Sequence, residues 1–156
     1  MMSKLASRLT LFAISVALGL PGAAFAANPP STGLGQAWPN ATDVSASPNY
    51  HAYVFVLGGI QYIQINDLNG NVLGSVGTTS GQFITLPIGK FAQFVSTPQQ
   101  PAATTSPVTP SAAPTTVYND GQTTITSTPM SDGTQQLKAA SLGTCTDPAA
   151  CNTNSP

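Results

Sequence analysis

The chain has 156 residues, with four Lys+Arg, five Asp+Glu and one His. It contains no Glu, and its single arginine, Arg8, lies close to the N-terminus. So few charges exclude electrostatic nucleic-acid binding, which needs a cationic surface to displace counterions, and chemistry built on paired glutamates or an arginine clamp.

Residues 1–26 have the three parts of a removable export signal. Met1–Arg8 carries Lys4 and Arg8, Leu9–Leu20 is apolar, and Ala24-Phe25-Ala26 supplies the small residues a signal peptidase accepts, with cleavage expected after Ala26. An apolar run this short falls below the roughly 20 residues needed to span a bilayer. No later stretch of the sequence is apolar enough to span, so a soluble periplasmic or secreted product is expected. Cleavage leaves 156 less 26, or 130 residues, in which Lys90 and Lys138 face five aspartates for a formal charge of −3.

The chain reads as an all-β protein, because 14 Pro and 14 Gly in its 156 residues leave little room for helices. Residues 27–49 hold Pro29, Pro30, Pro39 and Pro48 among small polar residues, which predicts an extended or disordered lead anchored by Trp38. Residues 50–96 read as a β-meander domain, with its strands at about 50–88. Tyr50–Leu57 and Ile60–Asn66 flank Gly58-Gly59, a two-residue hairpin signal. Asn69-Gly70 turns the chain into Asn71–Val76, and a looser connection, Gly77–Gly81, leads to Gln82–Leu86.

The turn lengths fix a register, and the register assigns faces. One face collects Ala52, Val54, Val56, Ile63, Ile65, Val72 and Val76, joined by Ile84 and Leu86 if the fourth strand continues the pattern. The other collects His51, Tyr53, Phe55, Leu57, Ile60, Tyr62, Gln64 and Leu73. A lone four-strand sheet is rarely stable. Its aliphatic face must be covered by residues 115–142, by the Trp38 segment or by a second copy of the chain. Tyr50–Leu57 is an edge with neither charge nor proline, so it is expected to be paired, or to join a homodimer or an envelope partner.

Residues 97–116, with Pro98, Pro101, Pro107, Pro110 and Pro114, predict a mobile polyproline-like linker between two units. Beyond it, residues 117–151 form a small β-rich segment. Asp120-Gly121 and Asp132-Gly133 predict turns between strands near Thr115–Asn119, Gln122–Thr128 and Thr134–Ala140, with a short helix as the alternative for Thr134–Leu142. Cys145 and Cys151 bracket five residues, and in an oxidising compartment such a pair reads as a disulfide.

Candidate chemistry is sparse, and neither a metal nor another cofactor is expected. Asp67-Leu68-Asn69-Gly70-Asn71 begins like a calcium loop, but Val72 and Thr78 stand where Gly and Glu are required, which favours a β-turn. His51 would need an orienting carboxylate or an adjacent nucleophile to act as a base, and the register places opposite it Asn66, a hydrogen-bond partner without charge. Tyr53, Phe55 and Tyr62 form the candidate binding face, since exposed aromatics stack on sugars or peptides, although strand aromatics more often fill a core.

Several segments carry a resemblance. Ser47-Pro48-Asn49-Tyr50-His51, Gly59-Ile60-Gln61-Tyr62-Ile63-Gln64-Ile65-Asn66-Asp67, Asn69-Gly70-Asn71-Val72 and Gly81-Gln82-Phe83 resemble small exported proteins of Gram-negative proteobacteria. So do Ser96-Thr97-Pro98-Gln99-Gln100-Pro101 and the loop from Cys145 to Cys151. The resemblance implies a periplasmic location and no assigned activity. The expectation is a non-catalytic binding or structural component of the envelope, with an exported inhibitor or assembly partner as the alternative and a small hydrolase as the rival enzyme reading.

Overall fold

The computed structural model of the chain describes residues 30–103 and 108–142. The export signal with its cleavage point after Ala26, and both Cys145 and Cys151, lie outside the described residues. The fold is all-β. Strands β1 (Tyr50–Leu57), β2 (Ile60–Asp67), β3 (Val72–Thr79) and β4 (Gln82–Leu86) form an antiparallel meander. A second four-stranded sheet runs in the order β5-β8-β7-β6, from β5 (Val95–Ser96), β6 (Thr115–Asn119), β7 (Thr123–Pro129) and β8 (Gln135–Ser141). Its short strand β5 is parallel to β8, and its other pairings are antiparallel.

The register of β1 on β2 follows from the Gly58-Gly59 turn: Leu57 opposes Ile60, Phe55 opposes Tyr62 and His51 opposes Asn66. Ile63 opposes Val76 and Ile65 opposes Gly74, as expected. The pattern then breaks at a bulge, because Asn66 pairs with Val72 and leaves Leu73 as the extra residue. Val72 therefore joins the aromatic face, and Leu73, expected there, is 2% exposed in the core. The β3–β4 connection is also tighter than expected, since β3 runs to Thr79 and only Ser80-Gly81 turn the chain. That shifts the alternation of β4. Phe83, opposite Thr78, is buried in the core, whereas Ile84 and Leu86 move to the aromatic face.

The two halves are layers of one unit. A single hydrophobic cluster contains Ala52, Ile63, Ile65, Leu73, Val76 and Phe83 from the first sheet, Phe91 from the crossover, and Val95, Val117, Tyr118, Ile125, Leu137 and Ala139 from the second. The cover for the aliphatic face is thus the 115–142 segment. Thr134–Leu142 supplies strand β8 and no helix, because Leu137 and Ala139 point into the core while Lys138 between them is exposed. The second sheet makes up for few apolar residues with small ones. Ser127 is fully buried, and its hydroxyl donates to Gln135 Oε1 at 2.6 Å.

Two glycines set how closely these parts approach. A Cβ on Gly74 would lie 2.7 Å from both Leu137 Cδ1 and Val95 Cγ2, so the missing side chain is the socket for the second sheet. A Cβ on Gly89 would lie 2.6 Å from the backbone at Leu73–Gly74, and its φ of +112° is left-handed. The crossover beyond it donates Lys90 N–H to Val72 O and Phe91 N–H to Leu73 O, both at 2.8 Å. In its described parts the Pro-rich stretch is docked. Phe83 N–H donates to Gln99 Oε1, Thr85 Oγ1 donates to Gln100 Oε1, and Ser111 N–H donates to Pro129 O. Its prolines cannot donate to a ladder, so the glutamine side chains make the bonds. The meander and the C-terminal segment thus contribute to one hydrophobic cluster.

Leu137→Ala should cost about 2–5 kcal/mol, as large-to-small core changes do. Because the core is shared, Trp38 fluorescence and far-UV circular dichroism should report one coincident urea transition. Two separated transitions would show that the sheets fold independently.

Candidate functional site

The lead, expected to be extended or disordered, is an ordered third layer over residues 30–49. Thr32 bridges Asn40, closing a small loop. Two fully buried amides on the outer face of β2 hold that loop. Gln64 Oε1 accepts Gly35 N–H at 2.6 Å, and Gln64 Nε2 donates to Gln36 O at 2.8 Å. Asn66 Nδ2 donates to Ala37 O at 2.7 Å and to Gly70 O at 3.3 Å. Each amide supplies both a donor and an acceptor, so it can replace water around an extended backbone. Trp38 lies over Gly70, where a Cβ would come within 2.9 Å of the indole nitrogen, and meets the His51 ring edge-on at 5.3 Å.

Asp43 then fastens the lead to the edge of β1. Its Oδ2 lies 2.6 Å from His51 Nδ1, and its Oδ1 accepts the N–H groups of Ala52 and Ser45 at 3.0 Å each. Val44 N–H donates to Ala52 O at 2.8 Å, so the lead pairs with β1 as a strand would. Partial burial pushes the Asp43 carboxyl upward. Hydrogen bonds from His51 and from the Ala52 and Ser45 amides, with the charge of His51, outweigh it and hold the carboxyl below its ordinary value. Farther on, Ala46 N–H and Ser45 Oγ both donate to Val117 O, which ties this segment to β6.

Asp43, Ser45, Ser47, Tyr50 and His51 line a recess of about 420 Å³. Its elements suggest a carboxylate–histidine–serine arrangement, but the serine is turned away. Ser45 Oγ lies 2.8 Å from Ser47 O and 3.3 Å from Val117 O, and among the described residues no hydroxyl bonds to the histidine. Asn66 does stand opposite His51 in the ladder, yet its amide is spent on the lead. The partner of His51 is Asp43, which sequence reasoning missed. The available signal was local, since Asp43 binds the amide two residues on, a turn that aspartate commonly forms.

The aromatic residues share one face, as the register implied, but the lead changes what they present. Tyr53 and Phe55 are 5% and 4% exposed, and Tyr62 is half-buried. Burial, then the Asp43 charge, pushes the Tyr53 phenol upward. The exposed apolar side chains lie nearby instead: Val56, Leu57 and Ile84 are 67%, 73% and 54% exposed. Asp67, at the start of the calcium-like loop, accepts Asn69 N–H, Asn71 N–H and Asn71 Nδ2, as a turn residue does. Among the described residues no three His, Cys, Asp or Glu side chains come together as a metal site.

Tyr118 and Asp120 form a further polar pair. The buried Tyr118 hydroxyl donates to Asp120 Oδ2 at 3.0 Å and accepts from Gln61 Nε2 at 3.1 Å. Burial first, then the bond to Asp120 and its charge, push the phenol up to about 12. This links the two sheets and offers no nucleophile at neutral pH. Two recesses flank the crossover, one of about 720 Å³ beside Leu86, Gln93 and Gln100, the other of about 480 Å³ beside Phe94, Met130 and Lys138. Neither contains an acid–base pair. No protein-family model, curated protein or solved structure matches the chain.

The lowered Asp43 carboxyl gives a pH dependence with a definite sign. Its contribution is intact above the unfolded value near 3.9 and is lost as pH falls through the lower folded value. Trp38 fluorescence should therefore report release of the lead in acid, below about pH 4. Asp43→Ala should cost about 1 kcal/mol through the lost capping bonds and remove the Asp43-linked part of this change. An unchanged acid profile in that variant would show that Asp43 does not fasten the lead.

Proposed function

We propose that the chain acts by binding and not by catalysis, as an exported structural or binding component of the bacterial envelope. What carries the reading is the use made of the Asp43–His51 pair: the carboxylate also holds two backbone amides, and the neighbouring serine is committed to carbonyls. A histidine oriented by a carboxylate also suits a small hydrolase, but a general base needs a substrate proton or nucleophile within about 2.6–3.2 Å. The low positive charge argues against nucleic acid as a partner. Among the described residues no helix is long and apolar enough to cross a membrane.

Incubation with ester, glycoside and peptide substrates should give no turnover above buffer. Turnover that disappears in His51→Ala would overturn the reading in favour of the hydrolase. A cross-linking pull-down from periplasm should recover an envelope component, and binding to peptidoglycan or glycan arrays would instead define a ligand. An exported inhibitor would recover an enzyme and block it.

Export and the cysteine pair belong to the same proposal. Mature protein purified from the periplasm should begin at Ala27, and Cys145 and Cys151 should resist thiol labelling until reductant is added. Full labelling without reductant would remove the disulfide. Replacing both with Ser should leave the main unfolding transition nearly in place, since the crosslink closes only a short local loop.

A further inference from the structure

We propose that Trp38 and the recess beside it bind a neutral saccharide, with a sugar ring stacked on the indole and its hydroxyls bonded to Asp43 and His51. The inference rests on the binding reading above and names its ligand class. Trp38 is 59% exposed, yet the chain fixes it on three sides. The buried amides of Gln64 and Asn66 hold the carbonyls of Gln36 and Ala37, the two residues that precede it. Beneath it lies Gly70, where a Cβ would come within 2.7 Å of the indole. Beside it the His51 ring meets it edge-on, 5.3 Å between centroids. Two fully buried amides are a costly way to hold a loop whose largest side chain stays in water. What they achieve is an aromatic face ordered before any ligand arrives, which spares binding the entropy of fixing it.

The His51 ring is common to Trp38 and to the recess of about 420 Å³. That volume falls within the roughly 300–1,000 Å³ of small-molecule sites. Asp43 is ionised at neutral pH and cannot donate, so His51 Nδ1 carries the proton of their 2.6 Å contact. In the neutral imidazole Nε2 is then an acceptor, and among the described residues nothing bonds to it. Asp43 spends its oxygens on His51 and two backbone amides, three of the roughly four acceptor positions of a carboxylate. Two acceptors are therefore left facing solvent beside an aromatic platform.

Those acceptors call for donors, and sugar hydroxyls supply them. The C–H groups on one face of a sugar ring are apolar and slightly positive, which suits the negative face of the indole. An anionic ligand would meet the Asp43 carboxylate and be repelled. A quaternary ammonium is held by a cage of aromatic rings, and a polyproline segment by an aromatic-lined groove. Trp38 offers a single face, because Tyr53 and Phe55 are buried. The stacking role that the strand pattern suggested for Tyr53, Phe55 and Tyr62 thus passes to Trp38.

Isothermal titration calorimetry of the mature chain with chitotetraose, with maltotetraose and with a proline-rich peptide tests the site. At least one tetrasaccharide should bind saturably, and the better of the two tells an acetamido sugar from a plain hexose. The fluorescence of Trp38, the single tryptophan, should shift in step. Trp38→Leu keeps an apolar side chain over Gly70 but loses the flat ring. It should weaken binding about tenfold while the unfolding midpoint barely moves, and Trp38→Tyr should recover most of the affinity. His51→Phe, which keeps a ring beside Trp38 and loses Nε2, should weaken binding about fivefold. Tyr62→Leu, on the strand face, should leave the affinity unchanged. Failure of both tetrasaccharides to bind, binding of the peptide alone, or binding that survives Trp38→Leu overturns the proposal. An envelope protein recovered in the pull-down would then leave the binding reading standing without a sugar site. Cleavage of a bound tetrasaccharide, read as new reducing ends, would uphold the site and overturn the non-catalytic reading instead.

Discussion

The close approach of the two sheets at Gly74 is the constraint on which the rest of the structure depends. Leu137 and Val95 fill the space a side chain would occupy there, and those two residues are paired neighbours on β8 and β5. Strand β5 joins the second sheet only because the crossover brings it there, and the crossover turns at Gly89 against the bulge at Leu73. A bulge, a glycine socket and a two-residue strand thus form one joint. The second sheet is poor in apolar residues, so this contact and the small Ser127 and Ala139 let it lie close enough to exclude water.

Much of the strand pattern was legible in the sequence because Gly-Gly, Asn-Gly and Asp-Gly turns have strong local preferences. Strands β6, β7 and β8 fall within about a residue of where those turns put them. The bulge was not legible, because Val72 and Leu73 are both aliphatic and either could face the core. The β3–β4 turn was missed because Ser80 adopts a φ of +49°, uncommon for a residue other than glycine. Both misses moved side chains between faces, which is the penalty of a one-residue error in a period-two element.

The candidate site was harder to read, for a related reason. The lead has the composition of a disordered segment, and nothing in residues 30–49 shows that it will lie on a sheet. Its order comes from elsewhere: two buried amides on β2, a glycine under Trp38 and the bare edge of β1. Gln64 and Asn66 alternate with Ile63 and Ile65, so they look like the solvated positions of a half-buried strand, yet both are fully buried. A buried amide of this kind is stable only when its donors and acceptors are met, and the lead meets them.

The bonds that close the structure join residues far apart along the chain. Ser45 reaches Val117 across 72 positions, and Tyr50 reaches Gln135 across 85. Such long loops must be closed before their contacts contribute, which slows folding in proteins dominated by non-local pairing. Leu137, the side chain that fills the Gly74 socket, is also among the last of the described core residues to be synthesised. The meander must therefore wait, with its aliphatic face uncovered, until β8 has emerged. The proline-rich and weakly charged composition on either side of it has a kinetic use in that interval, because prolines and small polar residues resist joining a neighbouring chain's strands.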